Sequence, residues 1–453
     1  SGKSSGDLYA GVAAILEQKN INRFIGIGPE ISKQKNAFKN IEESVFFDST
    51  ADFKLQFHSQ HFHNETILLK GARFFEFELI SHMLEEKIHQ TVLEINLNAI
   101  THNLNTYRQK LNPGVKLMAM VKAFSYGSGS FEIANLLQFN HVDYLAVAYA
   151  DEGVELRKAG ITLPIMVMNA EEITYDVLVH YNLEPELFSF GILTSFENYL
   201  MQGGITNYPV HIKLDTGMHR LGFEQKDIEA LCSRLTATSV FKIQSVFSHF
   251  AGSDTSAHDA FTKIQAGIFL EGCEQIRKIT GYTFIRHIAN TSAIQRHQEL
   301  QLDMVRLGIG LYGITAEPAM QQQLKNVTTL KTTVSQIKIV KAGESIGYSR
   351  KGIATKDSVI ATVRIGYADG YPRQLSNGIG KMLIHGKPVP VIGNICMDMT
   401  MLDITGVHVQ EGDEVIVFGE ALPVSEMATL ANSIPYEILT GISQRVKRVY
   451  FEE

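Results

Sequence analysis

The sequence has 453 residues, of which 45% are hydrophobic and 20% charged, with a formal net charge of −7. This is an ordinary globular composition with room for about three domains, and its acidic balance excludes the clustered Lys and Arg that a nucleic-acid partner wants. No apolar run approaches the roughly 20 residues that span a bilayer, the first residues lack a secretory pattern, and Cys232, Cys273 and Cys396 form neither a disulfide framework nor a metal spacing, so a cytoplasmic protein without membrane or metal is expected.

Residues 1–87 read as a small α/β piece. Leu8, Val12 and Leu16 share one face of a helix over Asp7–Lys19. Thr66–Leu69 reads as a short buried strand, followed by a helix through Leu84 and a polar linker over Glu85–Gln90. Thr91–Leu97 alternates as a strand, and the helix after it presents Ile100, Leu104, Tyr107 and Leu111 on one face.

From Lys116 onward, eight short apolar runs are each followed by a helical or loop stretch. They are Lys116–Lys122, Val142–Ala148, Pro164–Met168, Glu186–Phe190, Val210–Leu214, Ile243–Ser248, Phe284–Ala289 and Asp303–Leu307. Continuous apolar runs such as Leu117–Val121 suit parallel strands covered on both faces. Eight of them predict a (β/α)₈ barrel over 88–325, with a doubly wound open sheet as the alternative. After Asn326 the pattern turns β-rich, with strands at Thr329–Val340, Val359–Val363, Lys381–Ile384, Pro388–Ile392 and Glu414–Phe418. Residues 326–453 therefore read as a second, β-rich domain.

Barrel active sites lie where strands end and loops begin. The first strand ends in Lys122, the fifth in Lys213 before Asp215–Arg220, and the sixth at His249. The seventh runs through His287 to Asn290-Thr291, and the eighth carries Arg306 before Gly308. Each has a mundane reading: a lysine at a strand end is usually solvated, and a single buried histidine is usually structural. Their convergence at five strand ends points to a site.

The string Met120-Val121-Lys122-Ala123-Phe124-Ser125-Tyr126-Gly127 resembles the lysine motif of the alanine racemases. Leu214–Gly222, Val305–Gly313, Gly366–Arg373 and Gly393–Asp398 resemble further strings of that family in the same order. The likeness covers roughly residues 91 to 450. It implies pyridoxal 5′-phosphate (PLP) bound covalently to Lys122, with Lys122 and Tyr348 as the two acid/base groups. It places Arg306 at the pyridine nitrogen and Tyr126, Thr291, Gly308 and Ile309 around the phosphate. His287 would pack against the cofactor ring and Asn290 would line its pocket. Arg220, Met397 and Tyr367 would meet the substrate, and His249 would link Tyr348 to Arg306. Lys213 matches a position that some members carbamylate. The family's site is shared across a head-to-tail homodimer, with Tyr348 and Met397 supplied by the partner. Gln444 departs from the pattern, standing where some members place a tyrosine.

The chemistry suits the residue types. Racemisation removes the Cα proton from one face and returns it to the other, so two acid/base groups are needed. Arginine keeps its proton in proteins, so Arg306 at the pyridine nitrogen argues against a decarboxylase on the same barrel, which would want a carboxylate there. A non-catalytic PLP-binding protein would resemble the barrel alone. Alanine is the expected substrate, with serine the alternative. Ile67–Glu76 resembles the end of a Mur ligase that adds D-alanyl-D-alanine, which implies that residues 1–87 are a fragment of such a ligase, with a mere folding cap on the barrel as the alternative; the upstream glycine of a phosphate loop is absent before Gly2-Lys3-Ser4. A racemase supplying D-alanine for peptidoglycan is the expected pairing.

Overall fold

The computed structural model describes residues 4–56, 62, 65–71, 75, 77, 80, 84 and 91–452, in two compact units divided after Ile88. In the first unit a helix over Ser5–Gln18 is capped by Ser4, whose hydroxyl accepts from the Asp7 N–H. Two parallel strands, β1 (Arg23–Ile27) and β2 (Glu43–Phe47), pair in register from Arg23 opposite Glu43. Phe24, Phe38 and Phe46 close a small aromatic core against Ala13 and Ile41. The run Thr66–Leu69 does not form the expected strand. Residues 65–71 adopt no regular element, and Leu68 is 84% exposed with no strand partner among the described residues. Much of the helix expected through Leu84 and all of the linker 85–90 lie outside the described residues, as do Gly2 and Lys3.

The second unit opens with β3 (Val92–Asn96) and the helix Leu97–Arg108, whose N-cap Asn96 accepts from the Ala99 N–H. Eight parallel strands follow: β4 (Lys116–Met120), β5 (Tyr144–Val147), β6 (Ile165–Val167), β7 (Glu184–Leu187), β8 (Tyr208–Lys213), β9 (Phe241–Phe247), β10 (Ile285–His287) and β11 (Met304–Leu307). They pair in sequence from β4 to β10, and β11 returns to β4. Backbone bonds from Asp303 N to Arg286 O and from Arg306 N to Ala289 O bridge β11 to β10 and close the barrel. All eight expected runs are strands. Those of β5, β6, β7 and β11 are buried at every position, and β5 and β6 accordingly read as continuous apolar segments. The fourth is displaced: Glu186–Phe190 was read as the strand, yet β7 begins at Glu184 and Ser189 caps the helix Phe190–Gln202. Its polar start, Glu184-Pro185-Glu186, hides a strand whose carboxylates have partners inside the barrel.

The β-rich half is organised on the long strand β12 (Thr328–Val340). With β15 (Ser358–Val363), β16 (Lys381–Ile384), β17 (Lys387–Pro390), β18 (Thr400–Asp403), β19 (Glu414–Phe418) and β20 (Lys447–Phe451) it forms a largely antiparallel sheet, while β13 (Ser345–Ile346) and β14 (Gly352–Ile353) pair as a separate two-stranded hairpin. β3 joins the larger sheet, pairing antiparallel with β12 and parallel with β20. The strand preceding the barrel is thus tied into the second half's sheet, and one continuous core runs through both halves.

Candidate active site

Lys122 leaves the end of β4 into a left-handed turn. Ala123, Phe124, Ser125 and Tyr126 have φ of 52°, 55°, 49° and 54°, followed by Gly127 at 81°. Each left-handed non-glycine residue costs about 1–2 kcal/mol, so the surroundings must hold the turn. Glu152 does so at the front: one carboxylate oxygen accepts from the Ala123 N–H and the other from the Ala148 N–H, both at 2.6 Å. At the back, Arg448 Nε donates to the Gly127 carbonyl at 2.9 Å and its guanidinium lies over the Phe124 ring. A Cβ on Gly127 would stand 2.2 Å from the Leu439 carbonyl oxygen. Gly127→Ala is expected to destabilise the chain by more than about 1 kcal/mol, seen as a lower denaturant midpoint. An unchanged midpoint would show that the turn is not built as described.

Arg306 sits inside the barrel at 3% exposure. Its Nη1 meets His287 Nδ1 at 2.7 Å. Its Nη2 donates to the carbonyls of Ser248 at 2.7 Å and Ile288 at 3.1 Å, and lies 3.2 Å from His249 Nδ1. Burial pulls this guanidinium down to about 10, against the pull of Glu186, so it is protonated throughout the neutral range. His249 is held neutral by burial and then by the cations Arg306, Arg220, Lys213 and Lys122. Arginine can only donate, so His249 Nδ1 accepts and its Nε2 carries the proton. His287 is fully buried, stacked on Phe247 at 5.0 Å, with both ring nitrogens bonded to protein groups. Asn290 likewise is committed to structure: its Oδ1 accepts from the Ala293 N–H and the Ser253 hydroxyl, capping the helix Thr291–Arg296.

A phosphate-bearing cofactor needs hydroxyls and backbone N–H groups around a space kept clear of side chains. Gly308 supplies that space: a Cβ there would stand 2.8 Å from Tyr126 Oη and 3.6 Å from Thr291 Oγ1. The Gly308 N–H donates to Thr291 Oγ1 at 2.9 Å, and Ile309 opens the short turn that follows. Tyr126 is braced by the rings of Tyr312 and Tyr436, at 4.8 and 5.8 Å. Two hydroxyls converge on a glycine that only hydrogen could occupy. The residues fit the group.

Arg220 is exposed on the loop after β8. Asp215 shapes that loop, its Oδ1 accepting the N–H groups of Gly217, Met218 and His219. At the end of β8 itself, Lys213 is buried and bonded to Glu186 Oε1 at 2.8 Å. A carbamate on Lys213 would set a second anion against that carboxylate in the barrel interior. Lys213 is therefore expected to be unmodified. A ¹³C spectrum taken in ¹³C-bicarbonate should lack a carbamate carbonyl, and its presence would contradict the pairing.

The β domain gathers a second group. Tyr348 lies between β13 and β14, 69% exposed, with Gly347 and Ser349 at positive φ forcing it outward. Its carbonyl accepts from Asn394 Nδ2 at 3.1 Å, which ties it to the loop carrying Met397. That loop's Cys396 and Met397 carbonyls accept the N–H groups of Tyr367 and Ala368 at 3.1 and 3.0 Å. Tyr348, Tyr367 and Met397 thus form one backbone-linked exposed set. Gln444 is exposed in the turn before β20. Sequence reasoning missed Glu152 and Arg448, since no local spacing marks them.

Fold and site together define an eight-stranded parallel barrel joined to a β-rich domain, with a cradle at Gly308 fit for a phosphate and a lysine at the first strand's end. The chain matches the alanine racemase N-terminal domain over residues 95–318 and the alanine racemase C-terminal domain over 327–450, and belongs to the alanine racemase family. Neither match reaches residues 1–94. Alanine racemase 1 of Clostridium acetobutylicum is 38% identical over 371 residues, covering 79% of this chain and 95% of that protein. Among solved structures, alanine racemase of Clostridium difficile 630 superposes with a TM-score of 0.76 at 34% identity, over 81% of this chain and 97% of that one. Alanine racemase from Bartonella henselae with covalently bound pyridoxal phosphate gives 0.74 at 29% identity, over 80% and 100%. The family is PLP-dependent.

Proposed function

We propose that this chain interconverts L- and D-alanine, with PLP held on Lys122 and with Lys122 and Tyr348 as the two acid/base groups. The observation that carries the reading is the junction of the Lys122 turn with the Tyr126–Thr291–Gly308 cradle, beside a buried and permanently protonated Arg306. PLP, when bound, draws electron density from the substrate and so acidifies its Cα–H bond. The protein does the rest. Arg220 holds the substrate carboxylate, with Tyr367 and the Met397 backbone beside it. Lys122 Nζ takes or returns the Cα proton on one face, and Tyr348 Oη does so on the other. Burial first, then Arg220, Arg306 and Lys213, hold the Lys122 amine below the ordinary lysine range, with Glu152 opposing. Arg306 faces the ring nitrogen as a donor that cannot release its proton. His249 donates from Nε2 toward the second base.

Tyr348, Tyr367 and Met397 are exposed on one linked surface of the β domain, which supports a homodimer in which each β domain completes the partner's site. We assign residues 88–325 to the barrel and 326–453 to the β domain, with β3 lent to the latter. We read 1–87 as a remnant of a Mur ligase end, on the likeness at Ile67–Glu76, and the activity as D-alanine supply for peptidoglycan. Among the described residues no helix is long and apolar enough to cross a membrane, and three free cysteines suit a reducing cytoplasm. The test is D-alanine formation from L-alanine by the PLP-loaded protein, followed by a chiral assay and repeated with serine.

A further inference from the structure

The barrel interior holds a line of polar side chains that the proposed reaction does not use. Arg306 Nη1 meets His287 Nδ1 at 2.7 Å. His287 Nε2 meets Ser245 Oγ at 2.8 Å, and Ser245 Oγ meets His211 Nδ1 at 2.7 Å. His211 Nε2 meets Glu184 Oε2 at 2.9 Å. The line crosses five adjacent strands: β11, β10, β9, β8 and the start of β7. His211, Ser245 and His287 are 0% exposed, Arg306 3% and Glu184 8%.

Donor arithmetic gives this line a direction. Arginine has no acceptor, so His287 Nδ1 must accept and its proton sits on Nε2. That Nε2–H donates to Ser245 Oγ. The single Ser245 proton then goes to His211 Nδ1, which places the His211 proton on Nε2, facing the carboxylate. Any other assignment leaves two protons facing each other or a buried donor without an acceptor, each costing about 1–3 kcal/mol. Every hydrogen bond points the same way, from a cation at the catalytic end to an anion at the other end. Bonds aligned head to tail polarise one another.

We propose that Glu184 is a positioning residue for Arg306: its carboxylate anchors a one-way hydrogen-bond relay through the barrel core that keeps His287 Nδ1 an acceptor and so fixes the guanidinium's orientation. The inference rests on the reading of Arg306 as the group that faces the cofactor's ring nitrogen. The relay itself is a property of the cofactor-free chain and can be read there.

The experiment uses full-length protein labelled with ¹⁵N-histidine, first without cofactor. Long-range ¹⁵N–¹H spectra should show His211 and His287 neutral, each protonated at Nε2, with slowly exchanging ring protons. Glu184→Gln removes the charge at the same size, and should move the ring signals of both histidines. Ser245→Ala cuts the line in the middle, and should move those of His287 while leaving the His211 Nε2 proton on Glu184. With PLP bound, both variants should shift the cofactor's absorbance band and lower kcat about ten-fold, while KM for alanine changes by less than about two-fold. A His287 protonated at Nδ1, or at both nitrogens, overturns the proposal. So does Glu184→Gln or Ser245→Ala with an unmoved His287 and an unmoved band. Should Glu184→Gln not fold, Ser245→Ala decides alone. Wild-type protein with the expected tautomers but no D-alanine would sink the racemase reading and leave the relay standing.

Discussion

Lys122→Ala is expected to lose PLP on dialysis and to lower racemase activity by more than about 10³-fold. The site asks this one amine to do two things. It tethers the cofactor, and it moves a proton at the substrate's Cα, a role that by itself is worth about 10²–10⁴-fold. No neighbour can take over, because Lys213, the nearest comparable lysine on a strand end, is already paired with Glu186. The environment also favours the reactive form: burial and the surrounding cations lower the Lys122 pKa from 10.5, so more of the amine is neutral at a given pH than in a solvent-exposed lysine. Borohydride treatment of the PLP-loaded wild type, followed by peptide mapping, should fix the label to Lys122. A label on Lys213, or a Lys122→Ala protein that keeps its cofactor, would contradict the assignment.

Tyr348→Phe is expected to keep its PLP and to lose about 10²–10⁴-fold in racemisation, since only the second proton-transfer group is removed. The exposure of Tyr348, 69% on a domain apart from the barrel, turns this variant into a test of the shared site. In a head-to-tail dimer, Lys122 of one chain works with Tyr348 of the other. Lys122→Ala and Tyr348→Phe chains would each be inactive as homodimers. Mixed and allowed to exchange, they form heterodimers in which one site has both wild-type groups and the other has neither. Activity should therefore appear on mixing, rising with the heterodimer fraction. If each chain builds its own site, mixing restores nothing.

The barrel was legible because parallel strands buried on both faces must be apolar along their whole length, and seven of the eight runs sit where the strands are. The exception, β7, shows the limit of that rule. Glu184 and Glu186 lie in a buried strand because His211 and Lys213 meet them across the barrel, and no pattern along the chain announces a partner more than 20 residues away. The same holds for His287. Only the family resemblance gave it a role, and nothing along the chain announces that its two ring nitrogens bond to Arg306 and Ser245. The convergence of Lys122, Arg306, Thr291 and Gly308 near the barrel's strand ends was legible from the apolar runs that precede them, while the roles proposed for them come from the resemblance. The left-handed turn after Lys122 was not. Its residues are ordinary, and what holds it (Glu152 in front, Arg448 behind) comes from a helix beside β5 and from the chain's last strand. In the first unit, the short apolar run Thr66–Leu69 forms no strand and has no strand partner among the described residues.

The most direct test of the account is the chirality of alanine exposed to the PLP-loaded protein. Enantiomers have equal free energies in water, so a racemase must bring pure L-alanine and pure D-alanine to the same equal mixture, and the site described here predicts that both starting points converge on it. Alanine that keeps its handedness from either side, in protein shown to carry PLP on Lys122, would contradict it.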